Sequence, residues 1–127
     1  MRIYRIYTDS DGESHFEDLD FPMSPTDFAP PAPPLDLSES WDAKRVSFLR
    51  AAPGWYGDWH PAPQRQLMLH LTGEVEGETS DGQVRVIRPG SIVLLEDTSG
   101  KGHRSRVIGS EDVIICVVQL EDQSSAS

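Results

Sequence analysis

Four histidines, His15, His60, His70 and His103, are the side chains of this 127-residue chain that titrate near neutral pH. An imidazole there can take or give a proton, or offer a lone pair to a metal. His60 follows the aromatic run Trp55-Tyr56-Gly57-Asp58-Trp59, and His103 follows Gly100-Lys101-Gly102 at the start of a strand-like run, with Ser105 and Val107 on its face. His70 lies inside another strand pattern. The two-residue period sets Gln66, Met68, His70 and Thr72 on one face and Leu67, Leu69 and Leu71 on the other. A mixed face opposite three leucines suits the wall of a cavity. His103, at the end of a Gly-flanked loop, is the first candidate for an acid–base group and His60 the second. Gln66 with Arg65 or Arg50 could orient a substrate or stabilise an oxyanion. Trp59, Met68 and His70 are candidates for the remaining wall.

Each residue also has a plainer reading. His70 could be a hydrogen-bonded core group. Trp55 and Trp59 could simply supply buried area. Asp58 reads as a turn cap, Glu96-Asp97 as a solvated loop, and His15 as a solvated residue of an acidic loop. Arg104 and Arg106 fall on the face opposite His103 and are expected to pair with surface carboxylates. Cys116, set among isoleucine and valine, reads as a small buried apolar residue. Being the one cysteine, it excludes an internal disulfide, a CxxC redox pair and a zinc ribbon. No G-x-S-x-G elbow occurs, and Leu95 stands where a phosphate-binding loop ending at Gly100 would need its first glycine.

The elements that must carry these residues are strands. Runs at about 45–51, 65–72, 74–79, 84–88, 92–96, 103–108 and 113–120 alternate with turn signals. Asp81-Gly82 predicts a type I′ hairpin. Residues 2–7 form an N-terminal strand pattern, residues 9–20 an acidic loop, and the six prolines between Pro22 and Pro34 an extended arm. No segment offers a convincing helix, so the fold class is all-β, a sandwich or barrel. One domain is expected: an N-terminal strand, acidic loop and proline-rich arm over 1–44, a barrel over 45–120, and a frayed tail over 121–127. The run Val113 to Val118 is apolar on both faces. Something must cover its outer side, either the arm or a second copy, so a homodimer is expected.

Eleven Lys and Arg against 21 Asp and Glu leave a net charge of −10. That repels phosphate backbones and anionic lipid, so neither nucleic acid nor membrane is the expected partner. A small-molecule ligand is expected, in a cytoplasmic protein.

The spacing Gly54, five residues, His60, one residue, Ala62, three residues, Gln66, six residues, Gly73 resembles the first motif of the cupin superfamily. Pro89-Gly90, Gly100 and His103 are similar to the second. The resemblance covers about 45–120. It implies a double-stranded β-helix, a jelly-roll-like barrel with its site inside. Cupins that bind metal usually have a second histidine where this chain has Ala62, and glutamate where it has Gln66. The asparagine that often follows the last histidine is Val107 here. What the resemblance implies is thus a small molecule transformed by proton transfer, as in isomerisation, dehydration, lyase or cyclisation steps, with His60 and His103 at the site and no cofactor required. A single divalent transition metal on His60, Gln66 and His103, in an oxygenase-type enzyme, is the second expectation, and a non-catalytic ligand-binding or sensing module the third.

Overall fold

A computed structural model describes residues 1–122. Its strands are β1 (Arg2–Thr8), β2 (Ser14–Asp20), β3 (Ser24–Thr26), β4 (Leu35–Leu37), β5 (Ala43–Ala51), β6 (Tyr56–His60), β7 (Gln66–Thr72), β8 (Glu74–Thr79), β9 (Val84–Ile87), β10 (Ile92–Leu95), β11 (His103–Ile108) and β12 (Val113–Leu120). Among the described residues there is no helix. One sheet has six strands in the order β2-β1-β10-β7-β12-β5, a second has four in the order β6-β11-β8-β9, and β3-β4 form a small hairpin within the arm. The two large sheets keep separate edges, so of the two expected all-β forms, sandwich or barrel, the architecture is a jelly-roll-like sandwich. Of the tail expected over 121–127, residues 123–127 lie outside the described residues, while the Glu121 N–H is bonded to the Asp42 carbonyl.

The core between the sheets explains why these segments extend. Ile6, Phe16, Val93 and Leu95 of the larger sheet pack with Ile87 of the smaller one. Val113, Ile115 and Val117 pack with Val107 in a second cluster, and Met68 and Val75 touch both. Every other residue of these strands turns inward, as a period of two requires. The larger sheet also has an apolar outer face. There Phe21 and Trp41 of the arm pack with Ile3, Leu67, Leu94, Val118 and Leu120. The arm covers that face only in part, since Val46, Phe48 and Leu71 stay exposed. Cys116 sits opposite Phe48 and Leu69 on this outer side and is half-buried. The expectation of full burial fails because the cover ends short of it.

Three further expectations are corrected. The acidic segment is not all loop, because Ser14–Asp20 pairs antiparallel with β1 along its whole length. Phe16 enters the core and Leu19 the outer cluster, while the acids around them lie along a sheet edge and hide the alternation. His15 therefore belongs to a strand. Its Nε2 meets Asp9 at 2.6 Å, its Nδ1 meets Asp81 at 2.9 Å, and its ring stacks on Tyr7. At Asp81-Gly82 only the glycine takes a positive φ, with the Gly82 N–H bonded to the Thr79 carbonyl. A type I′ turn needs both central residues there, so this is a longer loop.

Candidate functional site

The site is built where β6 and β11 pair. His103 stands directly opposite His60, and Ser105 opposite Gly57, so Asp58 and Trp59 together face the single residue Arg104. This bulge re-aims the strand end. His60 is brought beside His103, and their ring centroids lie 4.8 Å apart. Trp59 is sent outward, where the Arg104 guanidinium lies 4.9 Å from its ring.

Glycine makes the approach possible. Gly102 has φ +71°, and a Cβ there would sit 2.0 Å from the His60 carbonyl oxygen. Only a residue with no side chain lets the loop before β11 pass that close to β6. The Ser14 hydroxyl donates to the Gly102 carbonyl at 2.6 Å and ties the same loop to β2. A Cβ on Gly57 would meet the Trp55 ring at 2.5 Å, so this glycine lets Trp55 fold back across its own strand.

Each imidazole is held through Nδ1. His60 Nδ1 lies 2.6 Å from the Asp58 carbonyl oxygen. A carbonyl only accepts, so this nitrogen carries a proton, and in the neutral ring Nε2 holds the lone pair. His103 Nδ1 lies 2.6 Å from Asp97 Oδ2. With Asp97 ionised the assignment is the same. A carboxylate behind an imidazole fixes its tautomer and its orientation. Asp97 is fully buried, and its backbone carbonyl accepts the Ala62 N–H. Its other oxygen, Oδ1, has no partner among the described residues. The solvated-loop reading of Asp97 is thus overturned. The apolar run Ile92–Leu95 carries the loop into the interior, and the polar pair at its end is taken in with it. Glu96 is likewise held, by Arg5 Nε at 2.5 Å and Arg65 Nε at 2.7 Å. Burial alone would raise its pKa, but the two guanidiniums outweigh this and lower it.

His60, Gln66, Met68 and His103 all border one cavity of about 380 Å³ between the sheets, with Trp55, Leu49 and Ile115 among its walls. Gln66 and Met68 face it because they share one side of β7, and the Gln66 amide lies 3.6 Å from the Met68 sulfur. Two candidates, Arg65 and Trp59, are placed elsewhere. Arg65 is committed to Glu96 and to the Glu121 carbonyl, and it stacks against Trp41. Trp59 is on the outer face of the smaller sheet. Arg50 is among the residues that line the cavity, at its β5 side. His70 is buried on the Gln66 face but belongs to a smaller adjoining chamber. Arg104 and Arg106 bond Glu78 and Glu76 on the outer surface, as their parity required.

The family that the motif spacing resembles often holds a metal, but the donor set at this cavity consists of two imidazoles and a carboxamide. Ala62, at the second histidine position, is 2% exposed and part of the core. No group of three or more His, Cys, Asp or Glu able to hold a metal occurs among the described residues. Asp97 is turned to the back of His103, and Glu96 is bound by arginines. These residues do not fit a resident divalent metal, whose sites use three or four such ligands.

No protein-family model matches the chain, and no curated protein matches it by sequence. Among solved structures it is similar to protein NMB1881 from Neisseria meningitidis, at 17% identity and a TM-score of 0.47, over 67% of this chain and 89% of that one. It is also similar to a putative ethanolamine utilization protein, EutQ, from Salmonella typhimurium LT2, at 12% identity and a TM-score of 0.41, over 94% and 95% of the two chains. The chain's own sheet order and core make it an all-β, jelly-roll-like sandwich. No helix of the described residues is long and apolar enough to cross a membrane.

Proposed function

We propose that this chain binds a small polar or anionic organic molecule between its sheets and moves a proton on it, with His60 and His103 as the acid–base pair. The observation that carries the reading is the pairing of two imidazoles at one cavity, each tied through Nδ1 and so left with Nε2 for chemistry. Two such groups side by side can remove a proton from one atom of a bound molecule and return it to another, as isomerisation, dehydration and cyclisation require. Asp97 acts as a positioning residue for His103. Gln66, with both a carbonyl and an amide at the wall, orients the ligand.

The test is a ligand screen by thermal shift, followed by incubation of each hit in D₂O with the wild-type protein. Incorporation of solvent deuterium at a carbon of the hit, lost in both His60→Gln and His103→Gln, is the expected result. Hits that bind without exchange would replace the catalytic reading with that of a binding module. Binding unaffected by either substitution would refute the site itself.

A further inference from the structure

A second cavity, of about 80 Å³, adjoins the first. Met68, Val75, Leu95, His103, Ser105 and Ile115 line both, so His103 stands at the junction. Beyond the junction the walls are Ile6, Phe16, Ile87 and Val93, together with the His70 imidazole. His70 is 6% exposed, and its Nδ1 has no hydrogen-bond partner among the described residues. Buried polar atoms in folded proteins are very seldom left so, and those that are call for an explanation. At about 30 Å³ per water-sized group, the chamber has room for two or three non-hydrogen atoms.

We infer that this chamber is a subsite for the uncharged polar end of an elongated ligand, whose hydroxyl or carbonyl oxygen hydrogen-bonds the His70 ring while its reacting end lies between His60 and His103. The inference rests on the site reading above and adds the shape and polarity of the substrate. Four apolar walls and no counter-charge make the chamber hostile to a carboxylate or an ammonium group, which would lose its hydration there. A hydroxyl suits either tautomer of the ring, as donor or as acceptor. Burial lowers the His70 pKa, which keeps the ring neutral at neutral pH and fits an uncharged guest. Met68 lies along both cavities, and its flexible thioether allows the passage between them to adapt to a slender chain.

The test uses the full chain with two series of probes, n-alkanoates of three to six carbons and the ω-hydroxyalkanoates of the same lengths. Binding is followed through the imidazole ¹⁵N shifts of His60, His70 and His103. Both series are expected to move His60 and His103, and only the hydroxy acids to move His70. The best hydroxy acid should bind about tenfold tighter than its parent, the equivalent of about 1.4 kcal/mol. That preference should vanish in His70→Leu, with the response of His60 and His103 to alkanoates retained. Should His60 and His103 respond while His70 stays silent throughout the hydroxy series, the subsite is refuted and the site stands. Should neither His60 nor His103 respond to any probe, the site reading falls and the subsite with it. The shifts on the wild-type protein decide this even if the variant folds poorly.

Discussion

Asp97 and His103 form a fully buried carboxylate and an imidazole 2.6 Å apart, and this arrangement predicts a change of sign in a double-mutant cycle. In His103→Ala the carboxylate keeps its burial and loses its partner, and its other oxygen already has none among the described residues. Removing one member of a buried pair typically costs about 3–5 kcal/mol, because the remaining charge is left uncompensated. For a 127-residue chain, at about 2.1 cal/mol/K of unfolding entropy per residue, 1 kcal/mol corresponds to about 4 °C in Tm. His103→Ala should therefore melt about 10–20 °C below wild type. Asp97→Asn alone keeps an acceptor oxygen for Nδ1 and removes the charge, so it should cost about 1 kcal/mol. In the His103→Ala background the same substitution exchanges an unpaired buried charge for an unpaired buried amide, and it should recover about 2 kcal/mol. One substitution thus destabilises in one background and stabilises in the other. Chemical denaturation of the four proteins with a common m-value is the assay. Equal effects of Asp97→Asn in both backgrounds, or a His103→Ala protein melting within 3 °C of wild type, would refute the pairing. The size of the expected loss is also why glutamine, and not alanine, replaces His103 in the functional test.

Gly102→Ala places a methyl group 2.0 Å from the His60 carbonyl at a φ of +71°, and since the obstacle is backbone it should cost more than about 2 kcal/mol, lower Tm, and separate the two imidazoles as read by loss of their mutual nuclear Overhauser contact. His15 has its pKa raised first by Asp9 and further by Asp81 against the effect of burial, so its contribution is fully present below its ordinary value of 6.5 and is lost as pH rises through the raised value. The stability difference between wild type and His15→Gln should accordingly shrink on the alkaline side, and a difference that grows with pH would contradict the clamp. Glu96, lowered by Arg65 and Arg5 against its burial, has the opposite sign. The advantage of wild type over Glu96→Gln should be complete above the ordinary value of 4.5 and disappear as pH falls through the lowered one, as thermal melts across that range would show. Metal analysis of protein purified without chelator should find well under one transition-metal ion per chain, unchanged in His60→Gln, because two imidazoles and an amide are too few ligands to retain one.

The strand content of this chain was readable from local pattern because side-chain alternation is a local property. The runs later found as β5, β7, β8, β9, β10, β11 and β12 were each placed to within about two residues. Four strands were not: β2, β3, β4 and β6. In β2 a row of carboxylates at a sheet edge masks the inward Phe16, and in β6 a bulge breaks the period between Gly57 and His60. The parity of β7 alone set Gln66, Met68 and His70 on one side, and the resemblance to two family motifs joined His60 to His103 as candidates. What local sequence could not supply was which polar residues the fold would take inside. Glu96 and Asp97 are adjacent acids after an apolar run, a pattern that solvated loops share. Only the return of the chain along β11, with Gly102 pressed against His60, converts Asp97 into the buried partner of His103. Arg65 was a reasonable pocket residue until Arg5, sixty positions away, was brought to the same carboxylate. The sequence by itself determined most of the strands and the faces of their side chains, since these depend on residues a few positions apart. The tertiary structure alone decided the tautomers, the position of the cavity and the unpartnered nitrogen of His70, because these depend on groups that meet only when distant strands pack.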